Sequence, residues 1–134
     1  MKQYKYLLVT IDDYTRYMTV KPLRIKSDTR EALTEIISTL EVSCNGEKVG
    51  TVQADWGGEF RNKELELELK QRGAKMKETV PHHRETNPVI ERANRTIFTR
   101  NRTAITASGL PKGLWDLVSA HSTYTKNRIP HKAL

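Results

Sequence analysis

A single cysteine, Cys44, stands among 134 residues, so no internal disulfide can staple this chain. No Cys or His residues share the spacing of a zinc site either. Hydrophobic runs are short: none approaches the roughly 20 residues that a membrane helix needs. The apolar run that opens the chain is cut by Asp12 and Asp13 before it could act as a secretory leader. The expectation is a soluble intracellular protein with no membrane partner. Acids are in deficit as well, 16 Asp and Glu against 23 Lys and Arg, for a net charge of +7. That surplus points to a polyanionic partner. Its distribution says more than its size, because acids gather between Glu59 and Glu68 while Arg92, Arg95, Arg100 and Arg102 crowd one later segment. Repeats, low-complexity tracts and linkers are all absent, and the length suits one domain over residues 1–134.

What is present reads as alternating strands and helices. Residues 4–11 and 16–23 are β-branched and aromatic runs separated by Asp12, Asp13, Tyr14 and Thr15, which predicts a hairpin. Asp28 and Glu31 have the spacing of a helix-capping box. Leu33, Ile36, Ile37, Leu40 and Cys44 then follow at helical spacing, with the thiol expected inside, until Asn45-Gly46 ends the run. Residues 48–54 form a strand ending at Asp55, and Gly57-Gly58 turn the chain beyond it. Residues 63–72 are ambiguous: leucines alternate with glutamates as a strand would, yet the residue types favour a helix, which Gly73 would close. A short strand is predicted over 74–79 and a loop over 81–84. Asn87-Pro88 then starts a long helix that reaches Ser108-Gly109. A last helix begins at Pro111, turns Leu114, Trp115, Val118, His121 and Thr125 inward, and stops before Ile129-Pro130. The order is that of a mixed α/β domain.

Two carboxylates stand out, Asp55 at a strand end and Glu91 in the first turns of a helix, with thirty-five residues between them. Two-metal phosphoryl transfer needs hard oxygen ligands converging from different elements, and such a pair can supply them. The run VQADWGGEF, the spacing to Glu91, and the stretches NPVIERANRTI, SGLPKGLWDL and YTKNRIPHKAL, preceded by VTIDDYTRYMTV, together resemble the integrase core of copia-type LTR retrotransposons. The similarity covers essentially the whole chain. It implies a ribonuclease H-like fold, a mixed sheet flanked by helices. It also implies an Asp, Asp, Glu active site in which Asp55 is the second carboxylate and Glu91 the third, both catalytic and both metal ligands. Two Mg2+ or Mn2+ ions are expected with the complete site. The implied partners are DNA (retroelement ends and target), with RNA a further candidate and a homo-oligomer expected for the full-length protein. The implied location is the nucleus. The resemblance departs at Pro88, where the family carries Gly, and at Arg84, where it commonly carries Pro.

The family's first Asp lies on a strand preceding the one that leads to Ile11-Asp12-Asp13, and no residue here can be carried over to it. The expectation is therefore an N-terminally incomplete core that lacks the first central strand. Unpaired ladder groups cost roughly 1–3 kcal/mol each when buried, against a net stability of about 5–15 kcal/mol, so this expectation bears on folding as well as on chemistry. Asp12 is the nearest substitute, although a carboxylate closing a hairpin reads first as turn-making.

On the helix from Pro88, Ile90, Ala93, Ile97 and Ala104 share one face, while Glu91, Arg95, Phe98 and Arg102 lie along a neighbouring stripe. Arg92, Arg95 and Arg102, with His82 and His83 of the preceding loop, are candidate contacts to nucleic-acid phosphates. A solvated Glu91–Arg95 ion pair is the plain alternative. The function expected is metal-dependent polynucleotidyl transfer in DNA integration, inactive in the isolated fragment. The alternatives are a non-enzymatic nucleic-acid-binding remnant, or a fragment that works only beside the rest of a Pol polyprotein.

Overall fold

The computed structural model describes residues 3–54, 62–78 and 87–130. In chain order its elements are β1 (Tyr6–Ile11), β2 (Met18–Leu23), α1 (Thr29–Ser43), β3 (Thr51–Ala54), α2 (Lys63–Gln71), β4 (Lys75–Glu78), α3 (Pro88–Ser108) and α4 (Trp115–Lys126). Single 3-10 turns at Lys26–Asp28 and Lys112–Leu114 lead into α1 and α4. The mixed α/β expectation holds, with parallel and antiparallel pairing present as two two-stranded sheets. The chain falls into two compact units, residues 1–24 with 88–134 and residues 25–87.

In the first unit β1 and β2 pair antiparallel, from Tyr6↔Leu23 to Ile11↔Met18. The hairpin turn is made by Asp12, whose Oδ2 accepts bonds from both the backbone N–H and the hydroxyl of Thr15 at 2.6 Å. Arg16 takes the left-handed conformation that the tight return requires, at φ 61°. The hairpin packs on α3 through one cluster. Met18, Ala93 and Ile97 are buried at its centre, and Leu7, Val9, Ile11 and Ile90 close around them. Alternation along the strands and the 90, 93, 97 spacing along the helix converge on this seam. Helix α4 lies against α3 and β2.

Two expectations fail on α4 and α1. Val118 is buried as expected, but His121 and Thr125 are exposed, and Ser119, Ser122 and Thr123 join Val118 inside. Small hydroxyl side chains allow a close approach, and the Asn101 amide of α3 donates to Ser119 Oγ at 2.7 Å across the seam. Ser119 in turn donates to the Trp115 carbonyl at 2.7 Å, so its hydroxyl is satisfied without water. The capping box at Asp28 is absent too. Asp28 already belongs to the 3-10 turn, and its carboxylate accepts from the Ile25 N–H at 3.4 Å rather than capping α1.

In the second unit α1 buries Ala32, Leu33, Ile36 and Ile37. Cys44 does not join them: it lies past the last turn, exposed, because Asn45 and Gly46 bend the chain away through positive φ of 57° and 86°. The inward position of that last turn belongs to Glu41, 5% exposed. Its Oε1 accepts from the Val49 N–H at 3.1 Å, and its Oε2 faces Lys48 Nζ at 3.1 Å and Arg72 at 3.7 Å. One carboxylate thus ties the end of α1 to the approach to β3 and to the end of α2. The ambiguous segment is helical, since helical spacing puts Leu65 and Leu69 together inside and turns Leu67 out to solvent. Asn62 caps that helix from its side chain, at 2.9 Å from the Glu64 N–H, and Gly73 closes it at φ 81°. Strands β3 and β4 run parallel, from Thr51↔Lys75 to Ala54↔Glu78.

Candidate metal and nucleic-acid site

Glu91 is placed by α3, whose 21 residues start at Pro88 and run unbroken to Ser108. Proline suits a first helical position because the N–H it lacks has no partner there in any case. Ile90 and Ala93, on either side of Glu91, face the Met18 cluster, so the carboxylate is set on solvent by a buried anchor. Glu91 is exposed in the first turn, where the helix dipole favours an anion.

Arg92, Arg95, Phe98 and Arg102 are exposed as well, and the last three continue the stripe that starts at Glu91. The plain alternative fails on geometry: among the described residues no ion pair joins Glu91 to Arg95. An exposed carboxylate outside any ion pair keeps its oxygen lone pairs for a hard cation, so Glu91 fits the donor chemistry of a divalent-metal site. No group of three or more His, Cys, Asp or Glu comes together among the described residues. Asp55, His82 and His83 lie outside the described residues.

Asp12 is engaged in its turn. Its bonds from the Thr15 hydroxyl, chief among several causes, hold its carboxyl below the ordinary aspartate range. The neighbouring Asp13 pairs with Arg16 at 2.6 Å. No helix is long and apolar enough to cross a membrane among the described residues.

Sequence reasoning missed a joint at the end of α4. The Asn127 side chain accepts from the Met18 N–H at 2.9 Å and donates to the Met18 carbonyl at 2.7 Å. Beside it Lys126 Nζ donates to the Arg16 carbonyl. Burial first, then the charges of Arg100 and Arg16, push Lys126 below the ordinary lysine range. Asparagine just past a helix reads as a stop signal, and nothing in its spacing betrays a partner 109 residues away.

Set beside solved structures, the chain has the fold of the retroviral integrase catalytic core. It matches the catalytic core domain of BIV integrase with a TM-score of 0.67 and 15% identity, over 93% of this chain and 76% of that one. The HTLV-2 integrase catalytic core domain, solved in complex with magnesium in a trimeric form, matches with a TM-score of 0.68 and 19% identity, over 97% and 79%. A chain of the simian T-cell lymphotropic virus intasome, in complex with a PP2A regulatory subunit, matches with a TM-score of 0.75 and 16% identity, over 92% and 42%.

The sequence narrows the class. It is 32% identical over 127 residues to the retrovirus-related Pol polyprotein from transposon RE1 of Arabidopsis thaliana, and 31% identical to that from transposon RE2. These matches take in 95% of this chain and 8% of either polyprotein's length. No family model matches. An integrase-core fold and a sequence similar to retrotransposon Pol polyproteins together make the chain similar to the integrase cores of LTR retrotransposons.

Proposed function

We propose that the chain is the strand-joining core of a retrotransposon integrase, with Glu91 as one of its metal-binding carboxylates. The observation that carries this reading is Glu91 itself, exposed and, among the described residues, outside any ion pair, in the first turn of a helix anchored by Ala93 and Ile97. Asp55 is its expected partner, the residue that follows β3 in sequence, with thirty-five residues between it and Glu91. Such carboxylates would hold two divalent cations, Mg2+ or Mn2+, which when bound would supply Lewis-acid activation of an attacking oxygen and charge stabilisation at the leaving one. Arg92, Arg95 and Arg102 hold the DNA backbone beside that centre, with His82 and His83 as further candidate phosphate contacts. The full-length protein works as a homo-oligomer on chromosomal DNA, which sets its place of action in the nucleus.

The test is strand transfer by the integrase that contains this chain. Glu91→Gln removes the charge and keeps the shape, so joining should fall by about a hundredfold or more while DNA affinity stays within about twofold. Joining at the wild-type rate would defeat the reading. Lost DNA affinity on Arg95→Ala, with joining absent from the wild type, would favour a nucleic-acid-binding remnant instead. Only two carboxylates of the triad carry over onto these residues, so the isolated 134 residues are proposed to join no DNA. Robust joining by them, abolished by Asp55→Asn, would contradict that.

A further inference from the structure

Pairing fixes which side of β2 faces outward. The Tyr17 carbonyl accepts from Asp12 and the Leu23 carbonyl from Lys5, both across the hairpin. By alternation Met18, Val20 and Pro22 turn their backbone groups away from β1. Pro22 has no N–H to leave unpaired, which suits an outer edge. Met18 has both groups to satisfy, and Asn127 satisfies both. Its Oδ1 takes the Met18 N–H at 2.9 Å and its Nδ2 gives to the Met18 carbonyl at 2.7 Å. That exchange is the one a residue of an adjoining antiparallel strand would make. The two partners also fix the amide's orientation, since turning it over would set donor against donor and acceptor against acceptor.

The residue so held is the centre of the unit's core. Met18 is 1% exposed and packs with Ala93 and Ile97, and Ile90 closes the same cluster. Glu91 lies between Ile90 and Ala93. A path of direct contacts therefore runs from the Asn127 amide through the Met18 backbone and side chain to the turns of α3 that carry Glu91. Lys126, donating to the Arg16 carbonyl next door, secures the same joint.

We infer that Asn127 is a positioning residue for the strand-joining reaction: by standing in for a strand on the outer edge of β2 it fixes Met18, and through Met18 the part of α3 that presents Glu91. This rests on the function proposed above. It goes beyond it by assigning a catalytic consequence to a residue that touches neither metal nor DNA.

The test compares Asn127→Asp and Asn127→Leu with wild type in the integrase that contains this chain. Aspartate keeps the acceptor for Met18 N–H but sets a negative charge against the carbonyl; leucine keeps the size and loses both bonds. Rates are taken at saturating DNA and divided by the folded fraction from a melting curve. Both variants should lose about tenfold or more in kcat with KM for DNA within about twofold, as expected when a reacting group is misplaced rather than removed. Hydrogen exchange supplies a readout apart from activity. The amides of Arg92 to Arg95, the first in α3 with partners inside the helix, should exchange faster, while those of the second half of α3 should not. Wild-type kcat per folded molecule, or exchange rising evenly along α3, would overturn the inference. If the wild type joins no DNA, or Glu91→Gln joins as well as wild type, the proposed function fails instead, and the exchange pattern still tells whether Asn127 sets α3.

Discussion

Glu91 owes its exposure to its neighbours in the sequence. Ile90 and Ala93 are held by Met18, which leaves the side chain between them nowhere to go but solvent. Arg95 and Arg102 share that exposure, and their contribution separates cleanly from that of the carboxylate. If they hold phosphates, Arg95→Ala and Arg102→Ala should each weaken DNA binding and flatten the dependence of log affinity on log salt by roughly one unit. An unchanged slope in a titration between low and moderate salt would remove them from the interface. The site was partly legible because Glu91 and the arginines fall on one helical stripe, a pattern local to a single element. Asn127 was not legible, because its partner is a backbone group in a distant strand and backbone groups carry no residue identity.

Local signals fixed where the helices and strands fall. Pro88, Gly73 and Gly109 punctuate helices as expected, the two glycines at φ 81° and 66°. Gly73→Ala should therefore destabilise the protein by about 1–2 kcal/mol, the cost of a Cβ in the left-handed region, seen as a lower denaturant midpoint. The inward face of α4 was misjudged because helical spacing from Val118 favoured His121 and Thr125, whereas close packing on α3 selects Ser119 and Ser122. Cys44 was misjudged for a related reason: the stripe continues in sequence, but Asn45 and Gly46 have already turned the backbone. Ile97, 0% exposed at the centre of the hairpin seam, should cost about 2–5 kcal/mol on replacement by Ala. A loss below 1 kcal/mol in equilibrium unfolding would mean that the seam is not packed as described.

Charge is arranged differently within the two units. The described basic candidates line α3 in the first unit, while the second is clamped internally by Glu41. Its bond from Val49, then those with Lys48 and Arg72, hold that carboxyl below the ordinary value of 4.5. A carboxyl lowered in the folded state stabilises fully above its unfolded pKa and loses that contribution as pH falls through the folded one. Acid melting of the protein should therefore steepen below about pH 4.5, and Glu41→Gln should remove that part of the pH dependence while lowering the melting temperature at neutral pH. A variant with wild-type acid sensitivity would show that the clamp does not titrate.

The proposal that Asp55 and Glu91 bind shared cations is most directly tested by iron-directed cleavage. Fe2+ replaces the native cation in the integrase that contains this chain, and peroxide-driven radicals cut the backbone beside it. Cuts are expected near both residues 55 and 91, suppressed together by excess Mg2+ and lost together in either Asp55→Asn or Glu91→Gln. Cuts at only one of the two positions, or cuts that survive both substitutions, would contradict a shared metal centre.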